Sequence, residues 1–280
     1  MTTAYAVTNL CSGLAASAFV FSAGAADATR ARLNDVRMDK RYVNGSPVTS
    51  LSFTIDLGSA IQTSGLALLN HNFGTAALAS TVRVRGGTAA AAGLVTAGVV
   101  TAKAATTLDT TAPYQKDHVF QYTAVTKQFL EVLISFTGTA TNLSIGEVFV
   151  FNSQTQLSRL SNYGGGEDEE YFTADVQFDN GGRRSSFMGG PVRTQRLPYS
   201  DLNLTQRQEQ ATLWRAVRGP VTPFLWIDSY EATATAAAAA EQHVLFGRLE
   251  VPAFRWTEVD YRLYTPEDLI IRSLSREAGA

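Results

Sequence analysis

Alternation of apolar and polar residues with a period of two restricts the fold of this chain more than any other feature. Residues 51–57 alternate strictly, with Leu51, Phe53, Ile55 and Leu57 separated by Ser52, Thr54 and Asp56. Such a pattern gives an extended strand one apolar and one polar face. The pattern recurs at 81–85, and apolar runs of strand length occupy 61–69, 129–136 and 143–151. Because polar turns separate these runs and helical periodicity is almost absent, the sequence predicts a mainly β, sandwich-like fold.

Two segments between these runs bear on how the strands connect. The polar segment TGTATN separates 129–136 from 143–151 and predicts a hairpin between those two runs. Residues 88–112 are a low-complexity stretch of Ala, Thr, Gly and Val. That composition is compatible with a flexible loop and with weak strands, and the sequence leaves both open.

The second half of the chain contains one predicted α-helix, near residues 205–218. Thr205 and Gln208 fit a capping box, in which a hydroxyl and an amide satisfy free backbone N–H groups at the start of the helix. A Gly-Pro pair at 219–220 ends it. The apolar face carries Leu213, Trp214 and Val217.

The rest of the second half is predicted to be β-rich. Residues 223–228 are apolar up to the final aspartate, which is typical of a strand buried on both faces. Two further strands are expected at 244–251 and 254–264, the latter with a bulge or turn near Thr257. The alanine run 236–240 fits either a short helix or a surface loop.

The organisation along the chain predicts two domains, since 280 residues exceed the usual size of one. Residues 153–170 are polar and contain three glycines and the acidic run Glu167–Glu170, which together indicate a solvated linker rather than a calcium site. We therefore expect an antiparallel β-sandwich at 1–152. A β-rich domain with the single helix is expected at 171–280.

The N-terminal region resembles a secretory signal only in part. Residues 14–28 are apolar and small, but no Lys or Arg precedes Arg30, so a buried strand is favoured there. No apolar run approaches the roughly 20 residues that span a bilayer, which argues against membrane insertion. The single cysteine, Cys11, is expected in a strand and excludes an intrachain disulfide, which favours folding in a reducing cytoplasm.

The motifs of common catalytic, metal and phosphate sites are missing from the sequence. His71, His118 and His243 are not at metal-ligand spacing, and neither a G-x-S-x-G elbow nor a Walker-type glycine pattern occurs. We therefore predict a protein that is not an enzyme and uses no metal or cofactor. The 23 basic and 25 acidic residues nearly balance, so no overall field favours nucleic acid.

Four arginines between residues 183 and 196 form the most basic segment of the chain. A nucleic-acid site would pair such charges with a series of stacking aromatics, which this segment lacks. Because arginine is also enriched at protein interfaces, we predict an interface formed by Arg183, Arg184, Arg193 and Arg196.

The first half of the chain resembles a discoidin-like (galactose-binding-like) jelly roll. The segments LSFTIDLGSAIQTSGLALLNHNFG at 51–74 and QFLEVLISFTGTATNLSIGEVFVF at 128–151 carry the resemblance. It implies ligand loops at one end of the sandwich, which here would include Asn34, Asp35, Arg37, Asn70 and His71. Aromatic candidates for a sugar platform are Tyr42, Phe73 and Tyr114. A competing interpretation is that Asn70, His71 and Asn72 only satisfy backbone groups in a turn.

The second half resembles tail and tail-tip proteins of tailed bacteriophages, through the segment from Arg183 to Asp228. That resemblance implies a virion component of the tail, assembled in the host cytoplasm. It would form a homo-oligomer around the tail axis and bind other tail proteins. The alternative is a carbohydrate-binding adhesion module that contacts a host-surface glycan; an accessory module of a secreted glycoside hydrolase is disfavoured.

Overall fold

The computed structural model describes the following residues: 2–22, 27–35, 41–73, 80–108, 117–159, 167–170, 173–177, 183–187, 192–230, 243–250, 255–260, 263–266 and 268–274. Strands dominate these ranges, and one α-helix lies among them, so the mainly β prediction is confirmed. No helix within the described ranges has both the length and the hydropathy to cross a membrane.

The strands of the first half have the following bounds: β1 Thr2–Ala6, β2 Phe19–Phe21, β3 Tyr42–Asn44, β4 Val48–Leu69, β5 Ser80–Gly87, β6 Ala89–Ala91, β7 Leu94–Ala97, β8 Val100–Thr107, β9 His118–Ala140, β10 Leu143–Ile145 and β11 Glu147–Phe151. Short 3-10 turns lie at Ala16–Ala18 and Asp27–Leu33.

The elements of the second half are β12 Thr155–Leu157, β13 Glu167–Glu170, β14 Thr173–Gln177, β15 Arg183–Phe187, β16 Val192–Leu197, α1 Leu204–Ala216, β17 Phe224–Tyr230, β18 His243–Leu249, β19 Trp256–Asp260, β20 Leu263–Pro266 and β21 Leu269–Ser273.

A long antiparallel ribbon of β4 and β9 organises the first half. The pairing runs from Val48–Ala140 to Leu68–His118, with a register shift after Asp56. Before the shift the ribbon lies between β2 and β5, and beyond β5 comes β8; after the shift, β4 pairs on its other side with β11. Apolar residues from both halves of the ribbon enter one core, so the ribbon folds back on itself to form the two layers of a sandwich.

The predicted hairpin between 129–136 and 143–151 is wrong. β9 is already paired on both edges over 129–136, with β4 on one side and β5 on the other. The segment after it therefore pairs elsewhere: β10 with β3, and β11 with β4. The runs 51–57 and 61–69 are parts of one strand, β4, with Gly58 at a φ of +77° inside it.

Of the two possibilities for residues 88–112, the structure has strands over 89–107. β6 and β7 form a hairpin whose turn residues, Ala92 and Gly93, both have positive φ (47° and 76°), as a type I′ turn requires. β8 pairs with β5 at the edge of the six-stranded sheet. Residues 109–112 lie outside the described residues.

The second sheet has the order β12-β1-β17-β18-β21-β16-β13. The N-terminal strand β1 is therefore hydrogen-bonded between two strands of the second half, and β12 and β13 come from the predicted linker. A shared apolar core packs this sheet against the sandwich, with members Ala4, Ala6, Ala67, Leu69, Val119, Phe149, Phe151, Leu225, Ile227, Val244 and Phe246. The predicted 1–152 and 171–280 division did not anticipate either feature.

Two further strands of the second half form a two-stranded sheet. β13 pairs with β16, ending at Glu170–Val192, and β14 pairs with β15, beginning at Thr173–Phe187. We call β14 and β15 together the arm; within the described chain they are recorded as a sheet of their own.

The helix begins earlier than predicted. Asn203, not Thr205, is the N-cap: its Oδ1 accepts from the Gln206 backbone N–H at 3.0 Å, and the Gln206 side chain accepts from the Asn203 N–H at 3.0 Å. This is a capping box two residues upstream of the predicted one. Beyond the helix Gly219 has a φ of +61°, consistent with the predicted stop.

The remaining predictions for the second half are partly confirmed. Phe224–Ile227 in β17 are fully buried, as expected for a strand covered on both faces. The predicted strand 254–264 is instead a hairpin of β19 and β20, with a register shift between Glu258 and Asp260. The alanine run 236–240 lies outside the described residues.

The N-terminal region also departs from the sequence prediction. Of the strand expected over 14–28, the structure has β2, with the 3-10 turn 16–18 just before it. Cys11 is buried in a turn rather than in a strand, because its carbonyl accepts from the Leu14 N–H at 3.1 Å and its N–H donates to Asn9 Oδ1 at 3.0 Å.

Candidate functional site

Buried polar side chains concentrate at the end of the sandwich where β4 ends and β9 begins. Folding the β4–β9 ribbon in half brings the segment after β4 close to the segment after β9, as the 2.8 Å hydrogen bond from the Ser144 N–H to Asn72 Oδ1 shows. We call this region the polar end. Its members, each at most 8% exposed, are Arg41, Asn70, His71, Asp117, His118 and Ser144.

Two histidines meet at the centre of the polar end. His71 Nε2 and His118 Nδ1 are 2.7 Å apart, and the Phe73 N–H donates to His71 Nδ1 at 3.3 Å. Because His71 Nδ1 accepts a hydrogen bond, the network assigns its proton to Nε2, which then donates to His118 Nδ1. Phe73 stacks on His71 with the ring centroids 4.3 Å apart.

A carboxylate fixes the backbone beside this pair. Asp117 Oδ1 accepts from the Asn70 backbone N–H at 2.7 Å, and Asn70 has a φ of +51°. That left-handed conformation, which asparagine tolerates better than most residues, turns the chain at the end of β4. The Gly146 N–H donates to the Leu69 carbonyl at 2.9 Å, and a Cβ on Gly146 would lie 2.9 Å from Asn70 Cβ. The backbones there are thus in close contact.

Asn72 joins two of the segments at the polar end. Its Oδ1 accepts from the Ser144 N–H at 2.8 Å, and its Nδ2 donates to the Asn142 carbonyl at 2.9 Å. Arg41 Nη1 lies 3.5 Å from Ser144 Oγ. Asn72 is half-buried and Asn142 is exposed. The polar end therefore extends to the protein surface at these residues, where hydrogen bonds hold the backbone in place.

The other predicted ligand residues are distributed differently. Asn34 Nδ2 donates to the carbonyls of Cys11 (2.7 Å) and Leu14 (2.9 Å) and so holds the turn that contains Cys11. Asp35 is exposed, and Arg37 lies outside the described residues. Asn70 and His71, by contrast, belong to the polar end.

The predicted aromatic platform does not form from Tyr42 and Phe73, which are both buried. Tyr42 stacks on Phe21 at 4.1 Å in the sandwich core, and Phe73 is covered by its contacts with His71 and Phe136. Large aromatic rings next to apolar strands are more stable in the core than at the surface. Tyr114 lies outside the described residues.

The four arginines of the predicted interface also have different environments. Arg183 and Arg184 lie in β15 of the arm. Arg193 is buried in β16: its backbone N–H donates to Ser273 Oγ at 2.7 Å and its Nη1 lies 3.4 Å from the Val244 carbonyl. Arg196 is exposed.

Sequence reasoning missed a buried ion cluster on the outer face of the sandwich. Glu131, which is fully buried, accepts from Arg85 Nε at 2.9 Å and from Arg85 Nη2 at 2.7 Å, and Arg83 Nη2 lies 3.8 Å away. The Val95 N–H of the β6–β7 hairpin also donates to it, at 2.8 Å. Because Arg83 and Arg85 alternate with valines, both arginines lie on one face of β5. The sequence did not identify Glu131 of β9 as their partner.

Burial changes the acidity of two groups near β11. Desolvation, followed by the charge of Glu147, raises the pKa of the Cys11 thiol far above its usual range. Desolvation likewise raises the pKa of Tyr122, against the opposing hydrogen bond to Thr63. Within the described ranges there is no group of three or more His, Cys, Asp or Glu side chains that could hold a metal ion.

Comparison with known proteins finds similar solved structures but no matching sequence family. No protein-family model and no curated protein matches the chain. Chitosan-binding module 1 of a chitosanase/glucanase from Paenibacillus sp. IK-5 is similar over 51% of this chain and 98% of its own, with 21% identity and a TM-score of 0.39. The module CpGH89CBM32-6 of Clostridium perfringens covers 52% and 100%, with 13% identity and a TM-score of 0.37.

A third similar structure is the CBM32 of AlyQ in complex with 4,5-unsaturated mannuronic acid. It covers 55% of this chain and 99% of its own, with 19% identity and a TM-score of 0.36.

Proposed function

We propose that this chain is a non-enzymatic binding protein whose N-terminal sandwich takes a carbohydrate at the polar end. The observation that carries the proposal is the concentration of buried, hydrogen-bonded polar groups there, described above around His71, Asn72 and Asp117. Sugars are recognised by a few polar groups held in fixed positions, because each hydroxyl needs a partner of defined direction. The hydrogen-bonded polar groups of the polar end lie below surface loops and are held in fixed positions, so they meet that requirement.

The opposite end of the sandwich is built differently and provides a control. There Gln128 Nε2 donates to Asp56 Oδ1 at 3.0 Å, and both side chains are half-buried. This contact ties two adjacent strands at the bend of the ribbon. It does not belong to a buried network like that around His71.

Binding of the full chain to a panel of neutral and uronic-acid oligosaccharides, followed by calorimetry on any that bind, tests the proposal. We expect Asn72→Ala to weaken binding by about tenfold, the effect of losing roughly 1.4 kcal/mol, because Asn72 supports the exposed segment at Asn142. Gln128→Ala removes a matched amide at the other end and should leave affinity unchanged. No binding to the panel, or an equal loss in both variants, would contradict the proposal.

We propose a second function, assembly as a structural component of a bacteriophage tail, with copies around the tail axis and other tail proteins as partners. The arm favours this function, because an isolated two-stranded ribbon is marginally stable in water and gains stability when a partner covers it. Light scattering of the full chain across a concentration range should give a discrete oligomer. A monomer at every concentration, together with absence of the chain from purified virions by mass spectrometry, would reject it.

A further inference from the structure

The segment that contains β13 and β14 and the segment that contains β15 and β16 carry opposite charges. Residues 167–177, which contain β13 and β14, include five acids and no base: Glu167, Asp168, Glu169, Glu170 and Asp175. Residues 183–197, which contain β15 and β16, include four arginines and no acid. Within the arm itself, β14 therefore carries one acid, Asp175, and β15 carries two bases, Arg183 and Arg184.

Both edges of the arm are open to pairing within the described chain. β13 is the last strand of the seven-stranded sheet, and β14 and β15 form a sheet of two. β16, in contrast, is covered by β21 from Thr194 to Leu197. The basic edge is thus available at β15 and the acidic edge at β13 and β14. Strands with unpaired backbone groups bind other strands readily.

We infer that the arm pairs edge to edge with the arm of a second copy of this chain, the basic β15 of one copy lying beside the acidic β14 of the next. This inference deepens the proposed assembly function and rests on it. Copies related by rotation point their arms the same way. Because β14 and β15 are antiparallel within one arm, β15 of one copy then runs antiparallel to β14 of its neighbour.

The charge distribution selects this arrangement over a symmetric one. Pairing β15 with β15 would place Arg183 and Arg184 beside their own copies, and pairing β14 with β14 would place Asp175 opposite itself. Like charges on adjacent strands are destabilising, whereas opposite charges stabilise the pair. A head-to-tail contact also leaves a free edge on each new copy, so the pairing continues until a ring closes.

Disulfide cross-linking of two variants, each with one introduced cysteine besides the buried Cys11, tests the arrangement. Asp175 of β14 lies opposite Ser185 of β15 within one arm. In a ring of parallel arms, Asp175 of one copy therefore lies opposite Ser185 of the next. A tagged Asp175→Cys chain and an untagged Ser185→Cys chain are mixed after dissociation in high salt, returned to low salt and oxidised. We expect a mixed dimer of the two variants and little dimer from either variant alone. The wild-type chain, whose single cysteine is the buried Cys11, is the control.

The outcomes separate this inference from the assembly function. Efficient dimers from Asp175→Cys alone, or from Ser185→Cys alone, would mean symmetric pairing and would overturn the inference. If light scattering shows an oligomer but no cross-link forms, the inference is also overturned, and assembly occurs through another surface. A wild-type chain that is monomeric at every concentration would overturn the inference, and its absence from purified virions would then reject the assembly function as well.

Charge reversal provides an independent measurement. The double variant Arg183→Glu/Arg184→Glu should raise the concentration for half-assembly by at least about tenfold, and adding Asp175→Arg should restore part of the loss. The matched control is Arg248→Glu/Arg255→Glu, which makes the same change of net charge at two exposed residues outside the arm. Unchanged assembly of the first variant, with circular dichroism showing that it is folded, would count against the inference.

Discussion

His71 Nε2 lies 2.7 Å from His118 Nδ1, although the two residues are 47 positions apart in the chain. Each residue is at most 7% exposed. His71 follows β4 and His118 begins β9, so the contact depends on the pairing of these two strands. We expect His118→Ala to lower the free energy of unfolding by about 2–4 kcal/mol, because it leaves a cavity and deprives the His71 N–H of its acceptor.

A double-mutant cycle isolates the contact between the two rings. His71→Ala, His118→Ala and the double variant are unfolded in urea, and the coupling between the substitutions should be about 0.5–3 kcal/mol. Additive effects would show that the 2.7 Å contact contributes nothing of its own.

Glu131→Gln should be among the most destabilising conservative changes in the chain. The fully buried carboxylate holds Arg85 through two hydrogen bonds and the β6–β7 hairpin through Val95. Removal of its charge leaves the arginines without a counter-ion, at a cost of about 3 kcal/mol. Chemical denaturation at neutral pH measures this.

The control for that prediction is Glu250→Gln. Glu250 accepts from Arg272 at 3.2 Å, but both side chains are more than a third exposed, so its loss should cost less than about 1 kcal/mol. Equal effects at Glu131 and Glu250 would contradict the assignment of a buried ion cluster.

The positions of the strands were predictable, because the residue pattern that marks a strand depends only on neighbouring residues. The pairing of one strand with another was not predictable. Alternation at 51–57 and the apolar run 224–227 depend only on neighbouring residues, and both are strands in the structure. Which strand β11 joins depends on β5 already occupying the edge of β9. No residue within the TGTATN turn carries that information, so the hairpin prediction failed.

The candidate site was predictable only in part, for the same reason. Asn70 and His71 were predicted as ligand residues from the resemblance to a discoidin-like sandwich, and both belong to the polar end. His118 and Asp117 follow a segment of no strong pattern, and their relation to His71 arises from the fold of the β4–β9 ribbon. Tyr42 and Phe73 were chosen as aromatics near loops, but contacts with Phe21 and His71 bury them.

Asn203→Ala should destabilise the protein by about 1 kcal/mol, the usual cost of losing an N-cap. The reason is that Asn203 Oδ1 is the acceptor for the Gln206 N–H at the start of α1. Thr205→Ala, two residues later, should change stability by less than about 0.5 kcal/mol. Thermal denaturation of the two variants decides which residue caps the helix, and a larger effect at Thr205 would restore the sequence-based assignment.

Stability should fall in alkaline solution because of Cys11. The folded thiol has a raised pKa, while the unfolded thiol ionises near pH 8.5. The stability that the neutral buried thiol contributes is therefore complete below about pH 8.5 and declines as the pH rises above it. Denaturant unfolding at pH 7, 9 and 10 measures the decline, and Cys11→Ala should make it shallower.

A thiol reagent provides a second test of that prediction. At pH 8 the folded protein should react with it far more slowly than the unfolded protein, since the thiol is buried and protonated. Rapid reaction of the folded chain would show that the turn around Cys11 opens readily.

The position of β1 determines the order in which this chain can finish folding. β1 pairs with β12 on one side and with β17 on the other, and β17 does not exist until residues 224–230 have been added. A chain interrupted before that point keeps one backbone edge of β1 without its native partner, a state open to wrong pairing. The native sheet therefore joins strands from both halves of the chain, and synthesis through β17 becomes a condition for closing its centre.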